Sequence, residues 1–194
     1  MRKPRRAANP PGPTPLRLFP SQSNVGRSIG FSYEDHPGGS CDLGFVEGPR
    51  VPDDLHSSAV GRDRLAIVVT PGHPWTHRRS ALTGRELADT PLLLREAGSG
   101  TRETLERALR PYDGIAVPVL ELGSTAPLRS AAARGPAPAV LSALAVREDV
   151  ASGRLIEVEV DPAVRLHRIL HAVWPKGREL PDPALHLLRV AKQR

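Results

Sequence analysis

Short apolar runs recur along the chain from residue 41 onward, separated by polar segments that often contain Gly or Pro. Apolar runs bounded by such breaks are typical of buried strands. Leu65–Thr70 is rich in β-branched residues, and Leu155–Val160 alternates as a strand with one solvent-facing side does. The pattern predicts strands at residues 42–47, 65–70, 92–95, 117–122, 139–141, 155–160 and 167–174.

Between the strands, apolar residues recur with helical spacing. Thr83 and Glu86 form a capping-box pattern that begins a short helix, which ends before Pro91. Further helices are predicted from Thr101, after Gly123–Thr125, from Ser142 to Gly153, and from Asp182, an N-cap followed by Pro183. Their apolar faces contain Leu105, Ala108 and Leu109, then Leu128, Ala131 and Ala132, and in the last helix Leu185, Leu188 and Val190. Alternating strands and helices predict an α/β fold with a largely parallel sheet.

Residues 1–40 have a different composition from the rest of the chain. They contain seven prolines, show no apolar period, and carry four of the six net positive charges. A segment that cannot bury apolar surface does not offset its ordering entropy, so we expect residues 1–40 to be disordered. A basic tail can attract nucleic acid, but this one lacks a helix-turn-helix pattern, and a solvated tail is the favoured interpretation.

Composition excludes several classes of protein. No window approaches the roughly 20 consecutive apolar residues that a membrane span needs, and no apolar stretch follows the basic start Met1–Arg6. We therefore expect a cytoplasmic protein. The single cysteine, Cys41, excludes an internal disulfide and argues against a cysteine-based metal site.

The candidate chemistry lies at two strand–turn–helix junctions, Gly98–Thr101 and Gly123–Thr125. In α/β sheets, ligands bind beyond the carboxyl ends of strands, where the first N–H groups of the helices have no helical partner. These groups, with neighbouring hydroxyls, suit a small anion such as a carboxylate, phosphate or sulfate. The predicted ligand-binding residues are Ser99, Gly100, Thr101, Ser124 and Thr125. Ordinary helix capping by Ser and Thr is the alternative interpretation.

The remaining polar residues give weaker indications of a binding or catalytic site. Arg102 is suitably placed to close over a carboxylate, although an exposed position on the helix is favoured. His73, between Gly72 and Pro74, is interpreted as a turn residue rather than a base. His167 and His171 lie roughly 13 Å apart along a strand, too far to share a metal. We expect no catalytic residues, no metal site and no cofactor.

Six sequence motifs occur in an order that is familiar from one protein family. They are DLGFVEGP at 42–49, VVTPGHPW at 68–75, LLREAGSGTR at 93–102, ELGS at 121–124, VLSALAVR at 140–147 and SGRL at 152–155. Each is weakly specific alone, but together they cover residues 41–194. The chain resembles the effector-binding, or substrate-binding, domain of LysR-type transcriptional regulators.

The resemblance implies a fold similar to type 2 periplasmic binding proteins, with two Rossmann-like lobes joined by two crossover strands. The second lobe would span roughly residues 73–141, and the remainder of residues 41–194 would form the first. A small, usually anionic effector would bind in the cleft, contacting Ser99–Thr101 and Ser124–Thr125. Members of the family are homodimers or tetramers that bind DNA through a separate winged helix-turn-helix, and no membrane is involved.

The resemblance begins only at residue 41, so the winged helix-turn-helix and the first strand and helix of the effector domain have no counterpart. Residues 1–40 show Pro/Arg-rich sequence instead, as a frameshift or a start codon placed too far downstream would produce. We expect an N-terminally truncated effector-binding domain with an incomplete first lobe and no specific promoter binding by itself. The alternatives are a stand-alone solute-binding protein of the same fold and, less favoured for want of a paired base and nucleophile, an enzyme.

Overall fold

The secondary structure follows the predicted order. A computed structural model describes residues 42–47, 51, 53–135, 137–177 and 179–193; the predictions for residues 1–40 and Cys41 lie outside these ranges. The strands are β1 Gly44–Glu47, β2 Leu55–Val69, β3 Leu93–Arg95, β4 Leu120–Leu122, β5 Ala139–Ser142, β6 Ile156–Val158 and β7 His167–Pro175. The helices are α1 Gly84–Asp89, α2 Gly100–Leu109, α3 Thr125–Ala132, α4 Ala143–Ala151 and α5 Asp182–Lys192, with short 3₁₀ turns at Pro74–His77 and Arg110–Tyr112.

The sheet is mixed, so the prediction of a largely parallel sheet is wrong. Its strand order is β1-β7-β2-β5-β3-β4, and β6 also pairs with β2. Among the strands that the structure describes, β3 runs parallel to its neighbours β4 and β5, whereas β2 is antiparallel to β5, β6 and β7. The difference arises because β2 begins at Leu55, ten residues before the predicted Leu65, and lies along the returning strand β7.

The core lies on both faces of the second half of β2. Leu65, Ile67 and Val69 face one side, where Leu105 and Leu109 of α2 cover them. The alternate residues Ala66 and Val68 face the other side, against Leu128 and Ala132 of α3 and Val146 of α4. This alternation follows from the two-residue period of a strand. Helices therefore cover both faces of this part of the sheet.

Residues beyond the predicted second lobe pack with the same two clusters. Leu155 lies in the cluster under α3, and Val158, Val164 and Leu166 lie in the cluster under α2. These residues therefore pack with the part of the fold built around β3, β4 and β5, and the boundaries of the second lobe stay a prediction. β1, β7 and the first half of β2 lie at the other end of the sheet order.

Helix α5 packs against this end of the sheet, where its Ala184 and Leu188 form a buried cluster with Leu43 and Ala172. Two details of the prediction are wrong here. Asp182 is the first helical residue rather than the cap, and Pro181 occupies the N-cap position. Val190 is 41% exposed, because two residues beyond Leu188 a helix has turned about 200° away from the buried face.

Helix α1 begins with the predicted capping box. The Thr83 hydroxyl accepts a hydrogen bond from the Glu86 N–H at 3.2 Å, and the Glu86 carboxylate accepts one from the Thr83 N–H at 2.9 Å. Hydrogen bonds from the Thr83 backbone and hydroxyl, and then from Arg78, lower the pKa of Glu86 below 4.5. A lowered pKa stabilises the fold above the unfolded-state pKa, and this contribution is lost as the pH falls through the folded-state value.

Thr83→Ala is expected to lower the free energy of unfolding by about 1 kcal/mol at neutral pH. The difference from the unsubstituted protein should narrow below pH 4.5 as Glu86 protonates. Urea unfolding at neutral and acidic pH measures this. Thr90→Ala is the control, since the Thr90 hydroxyl bonds the Glu86 backbone carbonyl, which does not titrate. Equal pH dependence of the two variants would contradict the prediction.

Candidate functional site

The two predicted junctions lie side by side in the structure. β3 and β4 are parallel neighbours, with Arg95 paired to Leu122 at their carboxyl ends. The Glu96 N–H donates to the Leu122 carbonyl at 3.3 Å, which holds the first turn against the second. Helices α2 and α3 start immediately beyond these turns. The topology therefore brings together the two sets of backbone N–H groups and hydroxyls that the sequence singled out.

At the first junction, Ser99 caps helix α2. Gly98 adopts a φ of 85°, a left-handed conformation that favours glycine. Ser99 follows in extended conformation, and its Oγ accepts a hydrogen bond from the Arg102 N–H at 3.2 Å. With only 2% of its surface exposed, Ser99 performs the capping role that was the alternative interpretation. A contact between Ser99 and a ligand stays a prediction.

Thr101 is bonded to a buried ionic cluster. Its Oγ1 accepts a hydrogen bond from Arg168 Nη1 on β7 at 3.1 Å. Arg168 Nε and Nη2 donate to Asp63 Oδ2 on β2 at 2.8 and 2.7 Å, and Arg168 Nη1 lies 2.7 Å from Glu47 Oε2 at the end of β1. Arg168, Asp63 and Glu47 are not predicted from the sequence, because they converge only through the β1–β7–β2 pairing.

Gly100 is required by close packing against β1. A Cβ atom at this position would lie 1.4 Å from the backbone carbonyl oxygen of Glu47. The end of β1 therefore rests directly on the first turn of α2. Gly123 at the second junction has no atom within 4 Å of the equivalent position.

Gly100→Ala is expected to lower the free energy of unfolding by about 1–3 kcal/mol, because the methyl group must push the Glu47 backbone away. Gly123→Ala is the matched control and should cost well under 1 kcal/mol. Thermal or urea unfolding of both variants measures the difference. Similar stabilities for the two alanine variants would contradict the close contact.

At the second junction, Thr125 rather than Ser124 is held by the protein. Thr125 Oγ1 accepts a hydrogen bond from Arg95 Nη1 at 3.1 Å, and Arg95 Nη2 donates to the Gly123 carbonyl at 3.3 Å. Ser124 occupies the N-cap position of α3, where its exposed side chain makes no capping hydrogen bond. Ser124 is therefore the most accessible of the predicted hydroxyls.

Arg102 is buried, so its expected exposed position on the helix is wrong. Only 9% of its surface is accessible. Its Nε donates to Glu106 at 2.6 Å, and its Nη1 contacts Glu121 Oε2 at 3.2 Å and the Arg95 carbonyl at 3.3 Å. The side chain turns back over the end of β3 and joins α2 to β4. Arg102 thereby stiffens the frame of the two junctions.

His73, which the sequence places in a turn, has a structural role. His73 caps the 3₁₀ turn at residues 74–77, its Nδ1 accepting a hydrogen bond from the Trp75 N–H at 3.1 Å. Partial burial lowers the pKa of His73. Among the residues that the structure describes, no cluster of His, Cys, Asp or Glu is arranged to hold a metal ion. None of the helices it describes is long and apolar enough to cross a membrane.

A separate cavity lies at the far end of α3 from the junctions. It has a volume of about 250 Å³ and is lined by Arg129, Ser130, Ala133, Arg134, Asp149 and Arg154. Asp149 is 1% exposed and forms ion pairs with Arg129 and Arg154. Because the Asp149 carboxylate in this cavity is already paired with Arg129 and Arg154, the junctions are the better candidate for a ligand site.

The fold is that of type 2 periplasmic binding proteins, a class of two-lobed ligand-binding domains. Solved structures that it resembles include the regulatory domain of CcmR from Synechocystis PCC6803 in complex with 2-PG, with a TM-score of 0.68 at 24% identity, covering 79% of this chain and 73% of that one. The OxyR2 regulatory domain from Vibrio vulnificus, in its C206S form, has a TM-score of 0.64 at 18% identity, covering 79% and 72%. At these identities the likeness concerns the fold.

The family follows from the sequence comparisons. The family model of the LysR substrate binding domain matches the sequence over residues 37–194. The chain belongs to this family. The HTH-type transcriptional regulator Mb2303c of Mycobacterium bovis is 47% identical over 151 residues, 76% of this chain and 48% of that protein. The regulator CbbR of Xanthobacter flavus is 37% identical over 149 residues, 73% and 44% of the respective chains. The chain thus spans about half the length of these relatives.

Proposed function

We propose that this chain is the effector-binding part of a transcriptional regulator and that a small anion binds across the two junctions. The observation that carries the proposal is the adjacency of two helix N-termini at the ends of β3 and β4. Ser99, Gly100, Thr101, Ser124 and Thr125 would contact the ligand. The relatives named as HTH-type transcriptional regulators support the regulatory role rather than a stand-alone solute-binding protein.

The chemistry of the junctions suits an anion. First-turn N–H groups carry partial positive charge from the helix dipole. The hydroxyls of Thr101 and Thr125 accept hydrogen bonds from arginines, so each retains its own O–H to donate to a ligand oxygen. Ser124 is exposed and has its hydroxyl available. No reaction is proposed, because this arrangement binds charge without pairing a nucleophile with a base.

In the intact regulator, this chain would take part in the control of transcription. Effector binding in the cleft would alter the relative arrangement of the part around β3–β5 and the part around β1 and β7. DNA would be bound through a winged helix-turn-helix, in a cytoplasmic dimer or tetramer. The lobe around β3–β5 would extend past the predicted range 73–141, since Val146, Leu155 and Val158 pack with it.

Substitutions at the junctions test the site. Ser124→Ala should weaken binding about tenfold to a hundredfold, because one hydrogen bond to a charged group is lost. Thr101→Ala should weaken binding similarly, whereas Thr101→Ser keeps the hydroxyl and should change it little. Binding is measured by calorimetry and amide chemical shifts, with 2-PG and a set of small carboxylates, phosphate and sulfate as probes.

Ser130→Ala is the control for Ser124→Ala, since Ser130 is an exposed serine on the same helix, away from the junction. Unfolding of each variant is measured alongside, because Thr101→Ala also removes an acceptor from Arg168. The site assignment fails if a probe binds the Ser124→Ala and Thr101→Ala variants as tightly as the unsubstituted protein.

A further inference from the structure

The end of β1 already places a carboxylate at the first junction. Glu47 Oε2 lies 2.7 Å from Arg168 Nη1. The backbone carbonyl of the same residue rests against Gly100, the first residue of α2. Side chain and backbone of Glu47 thus both lie beside the helix start that the anion is proposed to use.

Arg168 presents one nitrogen to this carboxylate. Its Nε and Nη2 are fixed by Asp63 Oδ2, and its Nη1 contacts both Thr101 Oγ1 and Glu47. The Arg168 side chain is only 2% exposed. Nη1 therefore lies among residues of the proposed ligand site, and the rest of the guanidinium is held inside the protein.

The two carboxylates on Arg168 differ in their accessibility. The Asp63 side chain is 2% exposed, and its Oδ1 is buried without a hydrogen-bond partner among the described residues. The Glu47 side chain is 51% exposed. Asp63 by itself neutralises the charge of the Arg168 guanidinium, so the Glu47 carboxylate gives the cluster a net negative charge. The half-exposed Glu47 carboxylate can return to water when it leaves Arg168, whereas the Asp63 carboxylate is enclosed by the protein. Glu47 is therefore the partner that another anion can replace.

We infer that Glu47 occupies the position of the effector's anionic group and that the effector displaces it from Arg168. The inference rests on the proposed anion site and adds Arg168 as its buried cation. The ligand would carry an oxyanion of carboxylate, sulfate or phosphate type, which accepts hydrogen bonds from Arg168 Nη1 and the Thr101 hydroxyl. Displacement would release the Glu47 side chain from Arg168. Ligand binding would thereby change the contact between the end of β1 and its neighbour β7.

Restoring the missing carboxylate from solution tests this inference. In Glu47→Ala, sodium acetate should raise the midpoint of thermal unfolding and shift the Thr101 amide resonance, with an affinity at least about tenfold higher than in the unsubstituted protein. Sodium chloride at matched ionic strength corrects for screening. Glu86→Ala is the control, because Glu86 is a carboxylate of comparable exposure, 43%, bonded to Arg78 away from the junction; acetate should not rescue it.

The inference is overturned if acetate binds Glu47→Ala no more tightly than the unsubstituted protein, or if it stabilises Glu86→Ala equally. Glu47→Gln, which retains the side-chain volume without the charge, replaces Glu47→Ala if the latter does not fold, with the same expectation for acetate. The proposed function is tested separately through Ser124. If Ser124→Ala weakens probe binding but acetate does not bind Glu47→Ala more tightly, the role of Glu47 is wrong and the proposed anion site stands. If neither substitution has its expected effect, both the role of Glu47 and the proposed anion site are wrong.

Discussion

Asp63→Ala is expected to lower the free energy of unfolding by about 3–5 kcal/mol. Asp63 and Arg168 are each 2% exposed and joined by two hydrogen bonds of 2.7 and 2.8 Å. Removing the aspartate leaves a buried guanidinium whose closest remaining carboxylate, Glu47, is half exposed. Burying a charge without its partner costs far more than the pair itself contributes. Urea unfolding monitored by far-UV circular dichroism gives the value.

Asp89→Ala is the matched control. Asp89 also pairs with an arginine, Arg85, at 3.9 Å, but its side chain is 66% exposed. Ion pairs in water contribute little, so this substitution should cost less than about 1 kcal/mol. Burial, rather than the presence of an ion pair, would then account for the difference. A loss of under 1 kcal/mol for Asp63→Ala would show that water or another group solvates Arg168.

The second large effect is expected in the core under α2. Leu105→Ala should lower the free energy of unfolding by about 2–5 kcal/mol. Leu105 is 0% exposed and packs with Leu65, Ile67 and Leu109. The substitution removes buried methyl groups and leaves a cavity that the surrounding helix and sheet fill only in part. The same urea experiment measures the loss.

Leu144→Ala tests whether burial is responsible. Leu144 is also a helical leucine, in α4, but it is 58% exposed. Alanine is the better helix former, so this exchange should be within about 0.5 kcal/mol of neutral. The packing described for α2 would be wrong if Leu105→Ala were as mild as Leu144→Ala.

Local signals in the sequence were sufficient for most elements. The capping box at Thr83, the cap at Ser142 and the break at Pro71–Pro74 are short-range effects, and the structure confirms them. The first half of β2 was not predicted, because residues 56–62 are mostly exposed and give no apolar alternation. Pairing with β7, distant in sequence, holds that segment extended. Local sequence patterns likewise do not indicate that β2 and β7 pair in antiparallel directions.

The residues of the candidate site likewise fall into those that local sequence patterns predict and those that they do not. The hydroxyls and glycines of both junctions follow from strand–turn–helix patterns within a few residues. Their charged partners do not, since Arg168 meets Thr101 across 67 positions and Asp63 across 105. Arg102 shows the limit most directly. Helical spacing alone does not distinguish a solvent-facing arginine from one that folds back onto Glu121 of the neighbouring strand.

The alternating faces of β2 also constrain how this chain can tolerate insertions. The face toward α2 carries Leu65, Ile67 and Val69, whereas the face toward α3 carries the smaller Ala66 and Val68. A single residue added after Asp63 would exchange the two faces and drive the larger side chains into the space shaped for the smaller ones. The bulge between Ala59 and Gly61 lies earlier in the same strand, where most side chains are exposed. Within β2, length variation among homologues is therefore expected at the bulge and not in the segment after Asp63.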